Sequence, residues 1–329
     1  MISVDKGFVE APIEEGINLV EEIKRLKKEK NAVIMAHYYQ RNEIQDIADE
    51  IGDSLALAQK AAVTDADIIV LCGVHFMAET AKVLCPGKKV LCPDMGAGCS
   101  LADSCPADEF ARFVAEHPDH TVISYVNTSA AVKAHTDIVV TSTNARQIVE
   151  SLPEDEKIIF GPDRNLGNYI NCVTGRNMIL WNGCCHVHEQ FSLEKILELK
   201  KQYPGAKILA HPECRKYLLD VADHVGSTQA LLNYAIKSDC KQFIVATESG
   251  ILHEMKKRCT DKEFIPAPPE DSKCSCNECG FMKLNTLEKL YNTLKYELPE
   301  VEVDPQIAEK AVKPINRMLQ ISRNLGLIK

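Results

Sequence analysis

The sequence predicts an α/β protein built as three similar three-layer α/β/α domains. Each has a short parallel sheet, and the three surround a pseudo-threefold axis with the active site at the centre. Two observations carry this reading. Amphipathic helical patterns alternate with short apolar strand patterns, the signature of parallel α/β units. The alternation also repeats at a period of about 85 to 90 residues, longer than ordinary repeat arrays. Each unit opens with a helix running into an apolar strand that ends in polar side chains: EEIKRLKKEKNAVIMAHYY, EFARFVAEHPDHTVISYVN and EKILELKKQYPGAKILAHPE.

The first unit spans residues 1–94, and its opening strand ends at His37 and Tyr39. A second short element, EIGDSLALA, stops at Ser54, and the unit closes on a Pro-bearing strand exit, VLCPD. The second unit, 95–182, repeats the order with Tyr125 and Asn127, then IVVTSTNA with Ser142, then IIFGPD. The third, 183–268, has His211 and Glu213, then HVGSTQALL with Ser227 and Thr228, then EFIPAP. A cysteine follows each exit, later in the second unit than elsewhere: Cys99, Cys185 and Cys279. The tail, 269–329, starts with the irregular PAPPEDSKCSCNECG. It continues as a helix with Asn285 or Thr286 as N-cap, and ends in a helix interrupted at Pro314 that packs back on the body.

Charge and composition narrow the function. A net charge of −9 argues against a nucleic-acid footprint, and the RLKKEK run reads as the solvated face of the first helix. No stretch has the length of a membrane span, and MISVDKGFVEAPIEEG has no apolar secretory core, so a cytoplasmic protein is expected. In a reducing compartment the 14 cysteines point to metal or redox chemistry rather than a disulfide framework. Cys72, Cys172, Cys214 and Cys240 lie in or beside apolar runs, where free cysteine acts as a small core residue.

Two metal readings stand at this stage. CSCNEC, with Cys274, Cys276 and Cys279, could form a zinc knuckle, although the usual second pair of ligands is missing. The repeat instead offers one thiolate per unit, a set that suits a [4Fe-4S] cluster with one iron left open as a Lewis acid. Ligands in parallel sheets bind beyond the carboxyl ends of the strands. There His37, Tyr39, Tyr125, His211 and Glu213 form a varied set of proton donors and acceptors. Ser54, Ser142, Ser227 and Thr228 precede helical patterns, where they could cap the helix or help its N-terminus bind an anion.

Motifs along nearly the whole chain resemble the quinolinate synthase family: MAHYYQ, GDSLALA, GAGCSLAD, YVNTSA, VTSTNA, WNGCCHVHE, HPEC, VGST and CNECGFMKLNTLEKLY. The resemblance implies a [4Fe-4S] cluster on Cys99, Cys185 and Cys279. Cys185 is chosen over Cys184 by its spacing to His188, and Cys279 over Cys274 and Cys276 by its spacing to Met282. It implies condensation of iminoaspartate with dihydroxyacetone phosphate to quinolinate, with loss of phosphate and two waters, in NAD biosynthesis. The implied catalytic residues are His37, Tyr39, Tyr125, His211 and Glu213. The implied substrate contacts are His37, Ser54, Tyr125, Asn127, Ser142, His188, His211, Glu213, Ser227 and Thr228. The expected partners are the two small-molecule substrates, with transfer of iminoaspartate from the enzyme that makes it, in a monomer or homodimer. Asn182 stands where the family often has proline, a change expected to affect the local turn more than the chemistry. Two rivals remain: another iron-sulfur hydro-lyase acting on a hydroxy acid, and a non-catalytic iron-sulfur or zinc protein.

Overall fold

Twelve apolar segments form strands, all in parallel pairs, in the computed structural model, which describes residues 3–271 and 277–328. The first sheet holds β1 (Ala32–His37), β2 (Glu50–Gly52), β3 (Ile68–Cys72) and β4 (Lys89–Leu91). The second holds β5 (Thr121–Tyr125), β6 (Ile138–Val140), β7 (Ile158–Gly161) and β8 (Ile179–Leu180). The third holds β9 (Lys207–Ala210), β10 (His224–Val225), β11 (Gln242–Ala246) and β12 (Glu263–Pro266). In each sheet the second strand lies outermost, followed by the first, third and fourth. The three-unit α/β architecture expected from the sequence is therefore present. Strands such as β3 and β7 are buried along their whole length, as parallel sheets covered on both faces must be.

The repeat reaches individual hydrogen bonds. Asp49, Asp137 and Asp223 each sit one residue before the second strand of their sheet. Each accepts the backbone N–H of a first-strand residue 15 positions earlier: Ile34 at 2.9 Å, Val122 at 2.8 Å and Ile208 at 2.7 Å.

Two expectations need correction. The Pro-bearing exit IIFGPD follows β7, the third strand of its sheet, whereas VLCPD and EFIPAP belong to the fourth strands β4 and β12. The short β8 closes the second sheet, which explains why Cys185 comes late: it follows β8 as Cys99 follows β4. Helix Pro305–Asn324 is not interrupted at Pro314. A helix-interior proline costs about 3 kcal/mol, but Ala311, Ile315, Met318 and Leu319 are buried in one core with residues of the first and second units. The preceding helix, Leu287–Tyr296, packs on helix Leu19–Glu29. Thr286 is its N-cap, while Asn285 donates to the Gly73 carbonyl. No helix among the described residues is long and apolar enough to cross a membrane.

Candidate active site

The strand order places a topological switch between the first and third strands of each sheet, where a crevice opens beyond their carboxyl ends. The three crevices meet in one cavity of about 660 Å³, counting all space not filled by atoms. It is lined by His37, Tyr39, Ser54, Cys99, Tyr125, Asn127, Ser142, Cys185, His188, His211, Glu213, Thr228 and Cys279, together with Asp53 and Glu248. Of the residues singled out from the sequence, Ser227 alone does not line it. Its hydroxyl caps helix Thr228–Lys237 and accepts a hydrogen bond from Thr143. Ser54 and Thr228 are first helical residues, and Ser142 precedes Asn144, the N-cap of the next helix. None of these three caps its helix. Asp53 does so for the helix that Ser54 begins.

β1 and β9 end in the same local device. The strand stops, and the histidine Nδ1 accepts the N–H of the residue two positions on: Tyr39 at 3.2 Å for His37, and Glu213 at 3.4 Å for His211. Occupied at Nδ1, each neutral ring carries its proton on Nε2, and His211 Nε2 lies 3.2 Å from Ser142 Oγ. Burial pushes both imidazoles down to about 3, so they are neutral donors at physiological pH.

Glu213 is the hub. Tyr125 Oη donates to Glu213 Oε1 at 2.5 Å, and His188 Nδ1 lies 2.9 Å from Glu213 Oε2. Burial alone would raise the Glu213 carboxyl. The His188 ring and the Tyr125 hydroxyl, both donating to it, outweigh burial and hold the group below the usual carboxylate range. An ionised carboxylate only accepts, so His188 Nδ1 carries a proton, and in the neutral ring Nε2 accepts from Thr247 Oγ1 at 2.9 Å. Thr247 Oγ1 then accepts from Tyr39 Oη at 2.7 Å, which in turn accepts from Thr228 Oγ1 at 2.7 Å. One directed chain thus runs from Thr228 through Tyr39, Thr247 and His188 to Glu213.

The third strands supply residues that the sequence reading missed. Asp163 lies two positions past β7, and Thr247 and Glu248 directly follow β11. A polar TES after an apolar run was the available signal, and the switch between first and third strands was its reason. Burial pushes the Asp163 carboxyl well up, helped by the charge of Glu213, and pushes Glu248 up to about 7. The turn bearing Cys185 is held at Gly183, where a side chain would meet the Pro162 carbonyl at 2.6 Å. Asn182, beside it, is exposed and accepts from Arg164 at 3.3 Å.

All described cysteines are free thiols. Cys72 and Cys214 are buried as expected of core residues, whereas Cys172 is exposed on the outer side of helix Arg164–Thr174 and Cys240 is half-buried. Cys274 and Cys276 lie outside the described residues. Burial pushes the Cys99 thiol up to about 12, and the Cys185 and Cys279 thiols also rise. Among the described residues, the one group of ligand atoms close enough to share a single ion is Cys185, His188 and Glu213, all within 4.8 Å of one another. Hydrogen bonding between His188 and Glu213 accounts for that proximity without a metal.

The sequence model of a family described as NadA, quinolinate synthetase A protein, matches residues 21–320. Curated relatives named quinolinate synthase include one from Thermosynechococcus vestitus, 59% identical over 306 residues, covering 93% of this chain and 96% of the relative. One from Chloroherpeton thalassium is 57% identical over 307 residues, covering 93% and 95%. One from Synechocystis sp. is 60% identical over 305 residues, covering 93% and 96%.

Proposed function

The chain belongs to the quinolinate synthase family, and we propose that it condenses iminoaspartate with dihydroxyacetone phosphate on a [4Fe-4S] cluster held by Cys99, Cys185 and Cys279. The product is quinolinate, with loss of phosphate and two waters. The observation that carries this reading is the meeting of three thiols, one from the stretch that follows the last strand of each sheet, in the cavity that also holds the Glu213 network. Three thiols are a soft ligand set suited to iron-sulfur chemistry. When bound, such a cluster supplies an iron without a protein ligand, a Lewis acid for substrate oxygen.

The side chains supply the rest. Asn127 Oδ1 is buried without a hydrogen-bond partner, an acceptor suited to a substrate N–H or O–H. The hydroxyls of Ser54 and Thr228, at the positive ends of 10-residue helices, suit carboxylate and phosphate oxygens. Neutral His37 and His211 present Nε2–H groups that stabilise a developing oxyanion without first adding a buried positive charge. Glu213 takes the carbon-bound proton, and the chain through Tyr39, Thr247 and His188, whose donors all point towards Glu213, carries protons from the Thr228 side of the cavity to the His188 Nδ1 that faces that carboxylate.

Anaerobic purification with iron and sulfide counts and a product assay tests the proposal. Cys99→Ala, Cys185→Ala and Cys279→Ala should each lose the cluster, whereas Cys72→Ala and Cys240→Ala should keep it. A colourless protein carrying one zinc ion would instead favour the trio of Cys185, His188 and Glu213 and refute the cluster.

A further inference from the structure

The residues two positions past the third strands of the second and third units are both carboxylates, and both bond to a cysteine proposed as an iron ligand. Asp163 follows β7 and accepts the backbone N–H of Cys185 at 3.2 Å through Oδ2. Glu248 follows β11 and accepts the backbone N–H of Cys279 at 3.0 Å through Oε1. The second oxygen of each is also taken, by Leu166 N at 2.7 Å and Gly250 N at 2.7 Å. Neither carboxylate is more than 1% exposed. The first unit has Val74 at the equivalent place.

We propose that Asp163 and Glu248 are positioning residues that dock the loops of Cys185 and Cys279 for iron through the ligands' own amides. The inference rests on the cluster reading above. A buried carboxylate is expensive unless it is paired, and here both oxygens of each group serve short, inward-facing loops that no strand or long helix holds. Lys283 adds a cation on the third-unit side: its Nζ lies 3.1 Å from Glu248 Oε1 and donates to the Tyr39 carbonyl at 2.7 Å. The Cys279 loop is thereby tied to the strand end that bears Tyr39. Gly250 permits this approach, since a side chain there would meet the Tyr39 Cα at 2.8 Å.

Asp163→Asn and Glu248→Gln test this with little change in volume. Each amide turns its NH₂ towards one of two N–H groups that both need an acceptor. Partners that orient metal ligands typically contribute about 10–100-fold to metal affinity or activity, so release of iron from anaerobically reconstituted protein to a ferrous chelator should accelerate by about that factor. Asp137→Ala is the control: it removes a backbone bond of 2.8 Å at the opposite end of the second sheet, lowering fold stability while iron leaves at the parent rate. In the unsubstituted, cluster-free chain, the Cys185 and Cys279 amides should be protected from hydrogen exchange, a measurement that needs no variant. Parent-like iron release in both variants, equal acceleration in Asp137→Ala, or fast exchange at the two amides would each overturn the proposal. A parent protein that binds no iron would instead sink the cluster reading.

Discussion

Thr247→Val cuts the hydrogen-bonded chain at its midpoint while keeping the shape of the side chain. Thr247 Oγ1 bonds His188 Nε2 at 2.9 Å and Tyr39 Oη at 2.7 Å, and the two losses are unequal. Tyr39 Oη retains Thr228 at 2.7 Å, so it keeps one partner. His188 is 3% exposed and Thr247 accounts for the bond at its Nε2, so that nitrogen is left buried and unpaired. Stranding one buried polar atom costs about 1–3 kcal/mol, and this, rather than twice as much, is the expected loss in equilibrium urea unfolding. If the chain relays protons, turnover should fall by about 10²–10⁴-fold, the usual contribution of general acid–base groups. Thr247→Ser, which keeps the hydroxyl, should stay near the parent in both measurements. A Thr247→Val protein with the stability loss but parent turnover would show that the chain only holds side chains in place. Parent values in both would mean that the hydroxyl does not bridge Tyr39 and His188.

Glu213→Gln should retain the iron-sulfur cluster and its visible absorption yet lose about 10²–10⁴-fold in the rate of quinolinate formation; near-parent turnover under anaerobic conditions would remove Glu213 as the base. Stability should also fall on acidification. The folded-state values of His37 and His211 are about 3 against an ordinary 6.5, so between those values the unfolded chain binds more protons. Each imidazole therefore withdraws up to about 1.4 kcal/mol per pH unit as pH drops from 6.5 towards 3. Urea midpoints across that range, compared with those of His37→Gln and His211→Gln, should show a shallower acid slope in the variants, and parallel slopes would contradict the assignment.

The opening strands were legible because they combine an uninterrupted apolar run with polar residues at its end. His37, Tyr39, Tyr125, Asn127, His211 and Glu213 could be named from that contrast, and all of them line the cavity. The third-strand residues were not, because β3 ends in LCGV while β7 and β11 end in GPD and TES, so no common pattern marks the position. Only the order of strands in the sheet shows that these ends face the same crevice. Ser227 shows the opposite limit: a hydroxyl before a helix looks alike in sequence whether it faces the cavity or caps the helix, and one residue's rotation separates it from Thr228. Pro314 was read from its local cost, which burial of the helix face overcomes.

A cavity proposed for a diacid and a sugar phosphate is lined by or borders four buried carboxyl groups, an arrangement that would repel its substrates if all were equally charged. They are not equivalent. Burial pushes Asp53, Asp163 and Glu248 towards the neutral acid, and their oxygens face backbone N–H groups and, at Asp53, the Thr143 hydroxyl. Glu213 is as deeply buried, but its side-chain oxygens meet the Tyr125 hydroxyl and the His188 ring, which hold it on the ionised side. Helices starting at Ser54, His75 and Thr228 bring positive ends towards the same space. Side chains of the cavity hold charge on Glu213, while the helix starts keep the rim receptive to anions. Environments that push similar groups apart are what separate a base from its neighbours, and Glu248 has both oxygens taken by the Cys279 and Gly250 amides, which leaves Glu213, bonded to Tyr125 and His188, as the carboxylate set for proton transfer in the cavity.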